Sequence, residues 1–111
     1  MPVDNAERPV VLTVESRVSD GRAVVSLIGE LDLDGVDLLL TEVRALVDGR
    51  TVFAIDVDTE SLTFVDSSGL HAILSAQAAA QAAEIGFRVV SLSPQLTRVV
   101  ELTGLAAVLA I

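Results

Sequence analysis

Residues 64–70 (FVDSSGL) join an apolar, strand-like run to an alanine-rich run of high helix propensity. This join constrains the fold, because a helix that follows a buried strand must pack back onto a sheet. The first backbone N–H groups of such a helix have no partner within it, so the helix start favours negative charge. A serine there could cap the helix, attack a substrate or accept a phosphate, and the residues alone leave these three roles open.

The rest of the chain predicts a single α/β domain over residues 10–111, preceded by a flexible tail at residues 1–9. The Asp20-Gly21 pair predicts an antiparallel hairpin, whereas the later strands alternate with helices and should pair in parallel. We therefore expect a mixed sheet of four or five strands with helices mainly on one face. The expected strands are 10–16, 23–29, 51–57 and 87–91, with 62–65 entering the junction and 105–111 as an edge strand, and the expected helices are 35–47, 68–84 and 94–103.

Helix ends and strand acids give more local expectations. Asp34 is expected to cap the first helix, and Gly49 is expected to take the left-handed position at its end. Ser93-Pro94 predicts the start of the last helix, which Gly104 should close. The acids of the Asp56-Val57-Asp58 stretch alternate on one strand face and are expected to face solvent.

The composition limits the partners and the chemistry. The 111 residues are 51% hydrophobic, contain no cysteine and no apolar run long enough to span a bilayer, and include no recognisable signal peptide, so a soluble cytoplasmic protein is expected. The net charge is −9 and all seven basic residues are arginine, which disfavours nucleic acid and anionic membranes as partners. Four acids lie within one eight-residue stretch, either as a solvated helix start or as a surface for a basic partner: Glu30, Asp32, Asp34 and Asp37.

Catalysis is weakly supported by these residues. His71, the one histidine, lies four residues after Ser67 on the same predicted helix, so the two side chains could approach each other. A serine hydrolase would also need an orienting acid and an oxyanion site, and the usual G-x-S-x-G motif is missing. No phosphate-binding loop and no convincing metal-ligand spacing occurs, so neither a metal nor a cofactor is expected.

The chain resembles the STAS domain family, and within it the small bacterial anti-sigma factor antagonists. Residues 64–70 match the family's phosphorylation motif, an apolar pair followed by D-S-S-G-L, and residues 29–32 match its G-E-L-D element. Ser93-Pro94 and residues 103–105 (TGL) match its S-P helix start and the later G-L. The resemblance covers residues 10–105 in order.

This resemblance implies a binding protein and not an enzyme. The unphosphorylated antagonist would bind an anti-sigma factor, itself an ATP-dependent serine kinase, and so free a sigma factor for transcription under stress. Phosphorylation of the first serine of D-S-S-G, here Ser67, would break the complex, and a phosphatase would reset it. The resemblance places Asp66, Ser68 and Gly69 on the same partner-binding surface and Asp32 near them. The chain alone is expected to be a monomer.

Two departures from the family pattern are visible. The position after G-L is often small in the family, and here it is His71, which could alter partner choice. Family members usually continue into a strand and a short helix beyond the final G-L, whereas this sequence stops at Ile111. Other STAS domains act unphosphorylated in stress complexes, so an unswitched interaction or scaffold module is the alternative function.

Overall fold

A computed structural model of the protein describes residues 12–109, and the predicted tail at residues 1–9 lies outside them. The structure confirms the predicted α/β domain, with a mixed five-stranded sheet and helices mainly on one face. The elements in chain order are β1 (Leu12–Ser19), β2 (Arg22–Leu31), a 3₁₀ helix (Leu33–Gly35), α1 (Val36–Gly49), β3 (Ala54–Asp58), β4 (Leu62–Val65), α2 (Ser67–Ala82), β5 (Gly86–Val90), α3 (Pro94–Thr103) and α4 (Ala106–Leu109).

Strand β2 is the centre of the sheet. It pairs antiparallel with β1 along one edge, through a two-residue turn in which Asp20 and Gly21 both have positive φ, 53° and 79°, as the hairpin prediction requires. Along its other edge, β3 pairs with residues 22–26 and β4 pairs with residues 29–31, both in parallel. The two short strands therefore share one edge of β2, and β5 lies outside β3.

The strand that brings the sheet to five is β4. The edge strand predicted at residues 105–111 is wrong for the residues described. Ala106–Leu109 form the short helix α4, after Gly104 has ended α3 at a φ of 72°. Alanine and leucine favour a helix. A side chain of α2 also holds α4, because Gln77 Nε2 donates a hydrogen bond to the Val108 carbonyl at 2.9 Å. Residues 110 and 111 lie outside the described part.

Alternate residues of the strands point into one aliphatic core. In β2, Ala23, Val25 and Leu27 are fully buried, and their intervening neighbours are half-buried on the other face. In β3, Ile55 and Val57 point to the same side and are buried under the helices. The apolar faces of α1 and α2 cover them with Leu39, Val43, Ile73 and Ala76. Within residues 12–109, no helix layer covers the other face of the sheet.

Two predicted helix ends are displaced. Asp32, and not Asp34, caps the 3₁₀ helix, because its Oδ1 accepts the Asp34 N–H at 3.0 Å, and α1 then starts without a side-chain cap. Arg50, and not Gly49, takes the left-handed conformation after α1, with φ of 56°. The prediction for α3 is confirmed, since Ser93 Oγ accepts the Leu96 N–H at 3.1 Å and Pro94 follows it.

The expectation that Asp56 faces solvent is wrong. Asp56 lies on the helix-free face of the sheet but is only 7% exposed, because two arginines from the flanking strands cover it. Arg88 donates through Nε and a terminal nitrogen at 3.0 and 2.9 Å, and Arg22 adds longer contacts from 3.2 Å. The Arg88 hydrogen bond outweighs the effect of burial and lowers the pKa of Asp56 below its ordinary value.

The start of α2 is held against the end of β2 by a close backbone approach. The Asp66 N–H donates to the Leu31 carbonyl at 3.4 Å, and the buried Gly69 lies over the same residue. A Cβ at Gly69 would stand 2.2 Å from the Leu31 carbonyl oxygen, far inside van der Waals contact. The glycine of D-S-S-G is therefore required by packing, and the contact fixes where the two serines lie.

Gly69→Ala is expected to destabilise the domain by about 3 kcal/mol, because α2 must shift away from β2 to admit the methyl group. Chemical denaturation measures this free energy of unfolding. Gly49→Ala is the matched control, since the nearest heavy atom to its Cβ would be 3.9 Å away and alanine favours the helix end. Equal stabilities of the two variants would contradict the packing role of Gly69.

Asp56→Ala is expected to lower the free energy of unfolding by about 1 kcal/mol at pH 7. The effect is small because the Arg22 and Arg88 side chains are 42% and 64% exposed, so solvent screens both ion pairs. Since the folded pKa of Asp56 lies below its unfolded value, this stability is present above that value and is lost as pH falls through the folded pKa. The melting temperatures of the wild-type and Asp56→Ala proteins should therefore converge as pH falls below the ordinary pKa of an aspartate. Asp48→Ala, at an exposed position of α1, should show no such convergence.

Candidate functional site

Helix α2 begins one residue earlier than predicted, so that Asp66 is its N-cap and Ser67 is its first helical residue. Asp66 is extended, with φ of −113° and ψ of −173°, and its Oδ1 accepts the Gly69 N–H at 2.9 Å. Its carbonyl accepts the Leu70 N–H at 3.0 Å, which opens the helical ladder. Asp66 thus does the capping, and neither serine hydroxyl is needed for it.

The two serines differ in accessibility. Ser67 is exposed, whereas Ser68 is half-buried and the next two residues, Gly69 and Leu70, are buried. Among residues 12–109, no protein acceptor takes the backbone N–H of Ser67 or Ser68, as expected for the first turn of a helix. The first serine of the pair therefore presents a free hydroxyl beside unpaired backbone donors.

Asp32 lies at the same edge of the sheet as the serines. Leu31 of β2 is in register with Val65 of β4, and the two strands are parallel, so that Asp32 and Asp66 occupy equivalent positions just past neighbouring strand ends. Each carboxylate accepts one backbone N–H, of Asp34 and Gly69 respectively. Two anchored negative charges consequently flank the start of α2, and this places Asp32 in the neighbourhood that the resemblance predicted.

His71 is exposed one turn after Ser67, and both residues lie on the outer side of α2. Residues four apart on a helix are neighbours, so the imidazole lies within reach of any partner that contacts Ser67. The hydrolase alternative would need an acid that orients this imidazole. Asp66 is the acid nearest to His71 in the sequence, but its Oδ1 already accepts the Gly69 N–H as the helix cap.

Leu31 is the residue of this site that the sequence reasoning missed. It is fully buried, and its carbonyl is both the acceptor for Asp66 and the atom that Gly69 must approach. Its signal in the sequence was the glycine at position 69, because a glycine inside a helical run often marks a close backbone approach. Within residues 12–109 no group of acidic or histidine side chains could hold a metal ion, and none of the helices described there is long and apolar enough to cross a membrane.

Comparisons with known proteins agree with the predicted resemblance. A family model described as "Mlab, STAS domain" matches residues 14–110. An anti-sigma factor antagonist from Mycobacterium paratuberculosis has a crystal structure that is 30% identical, covers 87% of this chain and 81% of its own, and superposes with a TM-score of 0.73. The anti-sigma factor antagonist SpoIIAA in its unphosphorylated form is 26% identical, with coverage of 87% and 84% and a TM-score of 0.72.

The phosphorylated form of SpoIIAA, a Bacillus cell fate determinant, is also similar, at 26% identity, coverage of 87% and 86%, and a TM-score of 0.67. This chain therefore shares its fold with both forms of that protein. The family match extends over most of the sequence, including the strand that ends at Leu31 and the helix that begins at Ser67. The chain belongs to the STAS domain family.

Proposed function

We propose that this protein is an anti-sigma factor antagonist that is switched by phosphorylation of Ser67. In the unphosphorylated state it binds an anti-sigma factor of the serine kinase type, and the bound sigma factor is released. The similarity to two anti-sigma factor antagonists, over 87% of this chain in each case, supports the class of partner. The geometry at the start of α2 supports the position of the switch.

The observation that carries this proposal is the division of labour between Asp66 and Ser67. Asp66 caps α2 through its carboxylate, so the exposed Ser67 hydroxyl has no structural task. A kinase can therefore phosphorylate this hydroxyl without breaking a contact of the fold. The half-buried Ser68 is the poorer acceptor, although it lies beside Ser67 on the same surface.

The chemistry of the switch needs ATP, which the kinase partner supplies. The Ser67 oxygen attacks the γ-phosphorus of ATP, the bond between the β- and γ-phosphates breaks, and ADP leaves as the hydroxyl proton is lost. A phosphatase returns the serine by hydrolysis of the phosphate ester with water. The protein itself provides the acceptor and its surroundings, and the partner provides the catalytic groups.

Phosphate changes the charge of the surface more than the fold. Phosphoserine carries about −1.5 to −2 charges near neutral pH, and a helix start accommodates negative charge. In the complex, however, the partner would have to desolvate this phosphate together with the carboxylates of Asp32 and Asp66. An unpaired buried charge costs several kcal/mol, and about 1.4 kcal/mol already lowers affinity tenfold. Release of the partner therefore requires no refolding.

The other surface residues have different roles in this proposal. Asp66, Ser68 and the exposed His71 contact the partner around Ser67, and His71 adds a contact specific to this chain. Gly69 is buried, so in this proposal it shapes the partner-binding surface through its close approach to Leu31.

The proposal is tested with the purified anti-sigma kinases of the source organism, each mixed with this protein and ATP. The cognate anti-sigma factor is the one that the wild-type protein binds in a titration. Mass spectrometry should then find one phosphate on Ser67 and none on a Ser67→Ala variant, whereas Ser68→Ala should still accept it. Binding of none of these kinases would overturn the proposed function.

Ser67→Asp is expected to bind the cognate anti-sigma factor at least about tenfold more weakly than wild type, because a carboxylate enters the desolvated interface. Ser67→Ala should bind as wild type does and keep its stability, since Asp66 remains as the cap. The affinities are measured by calorimetric titration. Ser75→Asp is the control, because Ser75 is exposed on the same helix two turns away. Equal binding by Ser67→Asp and wild type would leave the unswitched scaffold alternative.

Asp32→Asn is expected to weaken the same complex about tenfold, while the free energy of unfolding changes by less than about 0.5 kcal/mol. Asparagine can still accept the Asp34 N–H through its side-chain oxygen, so the substitution removes the charge and keeps the cap. Asp48→Asn, exposed near the far end of α1, controls for the change in net charge. Loss of stability without a separate effect on binding would make Asp32 a structural cap alone.

A further inference from the structure

Three exposed apolar side chains lie at the end of the molecule that carries Ser67. They belong to segments that start or finish there, namely Leu33 in the 3₁₀ helix, Leu38 in the first turn of α1 and Phe64 near the end of β4. Their exposed fractions are 72%, 50% and 43%. We call these three side chains the Leu33 patch. Single exposed apolar residues are common on protein surfaces, so the argument rests on their position together with their surroundings.

Leu33 is the most exposed member of this patch and has no part in the core. Its neighbours in the 3₁₀ helix are used by the fold: Asp32 caps the turn, and the buried Gly35 packs closely on Leu12. Leu33 instead stands in solvent between the carboxylates of Asp32 and Asp34. This apolar side chain is therefore available for contact with another molecule.

The Leu33 patch lies close to the start of α2, which carries Ser67. Leu31 links them, because its carbonyl accepts the N–H of Asp66 at 3.4 Å and its chain reaches Leu33 within two residues. Two residues of chain span at most about 7 Å. A partner that covers Ser67 and Asp66 therefore lies within reach of Leu33 as well.

Acidic side chains surround this patch. Asp34 and Asp37 are exposed and Glu30, Asp32 and Asp66 are half-buried, and all of them belong to the segments that carry the patch or to the start of α2. Such a rim repels an acidic surface and attracts one rich in lysine and arginine. An apolar centre with a charged rim is also the usual anatomy of a protein interface.

From these observations we propose that Leu33 is the apolar anchor by which this protein binds its anti-sigma factor. The matching surface on that partner is an apolar pocket bordered by basic side chains, adjacent to the kinase site that receives Ser67. This proposal rests on the proposed function and adds the means of recognition to it. The acidic rim guides association and sets its salt dependence, whereas burial of Leu33 sets the lifetime of the complex.

The test is surface plasmon resonance with the immobilised cognate anti-sigma factor. Leu33→Ala should raise the dissociation rate constant at least about tenfold and change the association rate constant less than about threefold. Leu33→Met should retain most of the wild-type lifetime. Asp34→Asn with Asp37→Asn should instead lower the association rate constant and flatten its dependence on salt.

Leu102→Ala is the matched control, since Leu102 is 77% exposed and lies in the last turn of α3, away from the start of that helix at the Ser67 end. Denaturation of each variant checks that the fold is intact, and the exposure of Leu33 predicts no loss of stability. Wild-type binding kinetics for Leu33→Ala would overturn this inference and leave the proposed function standing. Absence of binding by the wild-type protein to every anti-sigma kinase would overturn both.

Discussion

The contact between Leu31 and the first turn of α2 is the constraint on which the rest of the site depends. The Leu31 carbonyl accepts the Asp66 N–H, and Gly69 approaches the same oxygen more closely than any residue with a Cβ could. The two sequence motifs, G-E-L-D and D-S-S-G, are thus the two sides of one packing contact. Its consequence is that Asp32 and Ser67, distant in sequence, are held at the same edge of the sheet.

The carboxylates on the two sides of the molecule differ in their partners. On the helix-free face, Arg22 and Arg88 converge on Asp56 and neutralise a nearly buried carboxylate, which ties three neighbouring strands together. At the Ser67 end, by contrast, the carboxylates of Asp32 and Asp66 accept backbone N–H groups and have no arginine partner among the ion pairs of residues 12–109. Their charge remains available to a partner. In the proposed switch, a phosphate on Ser67 would instead be desolvated at the same edge without a paired charge, which weakens binding.

Much of this architecture was predictable from local patterns. The hairpin at Asp20-Gly21, the Ser93 cap and the exposed Ser67 follow from turn, capping and strand-to-helix signals that act over a few residues. The errors arose where a choice depends on the folded environment. Asp32 and Asp34 are equally good caps by residue type, and the position of the 3₁₀ helix decides between them.

The burial of Asp56 could not be predicted for the same reason. Its arginine partners lie 34 and 32 residues away in sequence, and the parallel pairing of β3 with β2 and β5 brings them together. Alternation along β3 correctly placed Asp56 on one face, but it cannot show what lies across the neighbouring strands. The short β4 was similarly ambiguous, because its four residues form a strand only where β2 offers an edge beyond the end of β3.

The arrangement also indicates how the proposed phosphate switch would act in so small a domain. Asp66 already fixes the first turn of α2, and the residues beneath it, Leu70 and Ile73, are buried in the core, whereas Ser67 is exposed. A charge added at Ser67 would therefore change the free energy of unfolding little. It would change the free energy of binding, because a partner must remove water from the charged group. Because the carboxylate of Asp66 caps the helix, the neighbouring hydroxyl is left free for the phosphorylation that we propose.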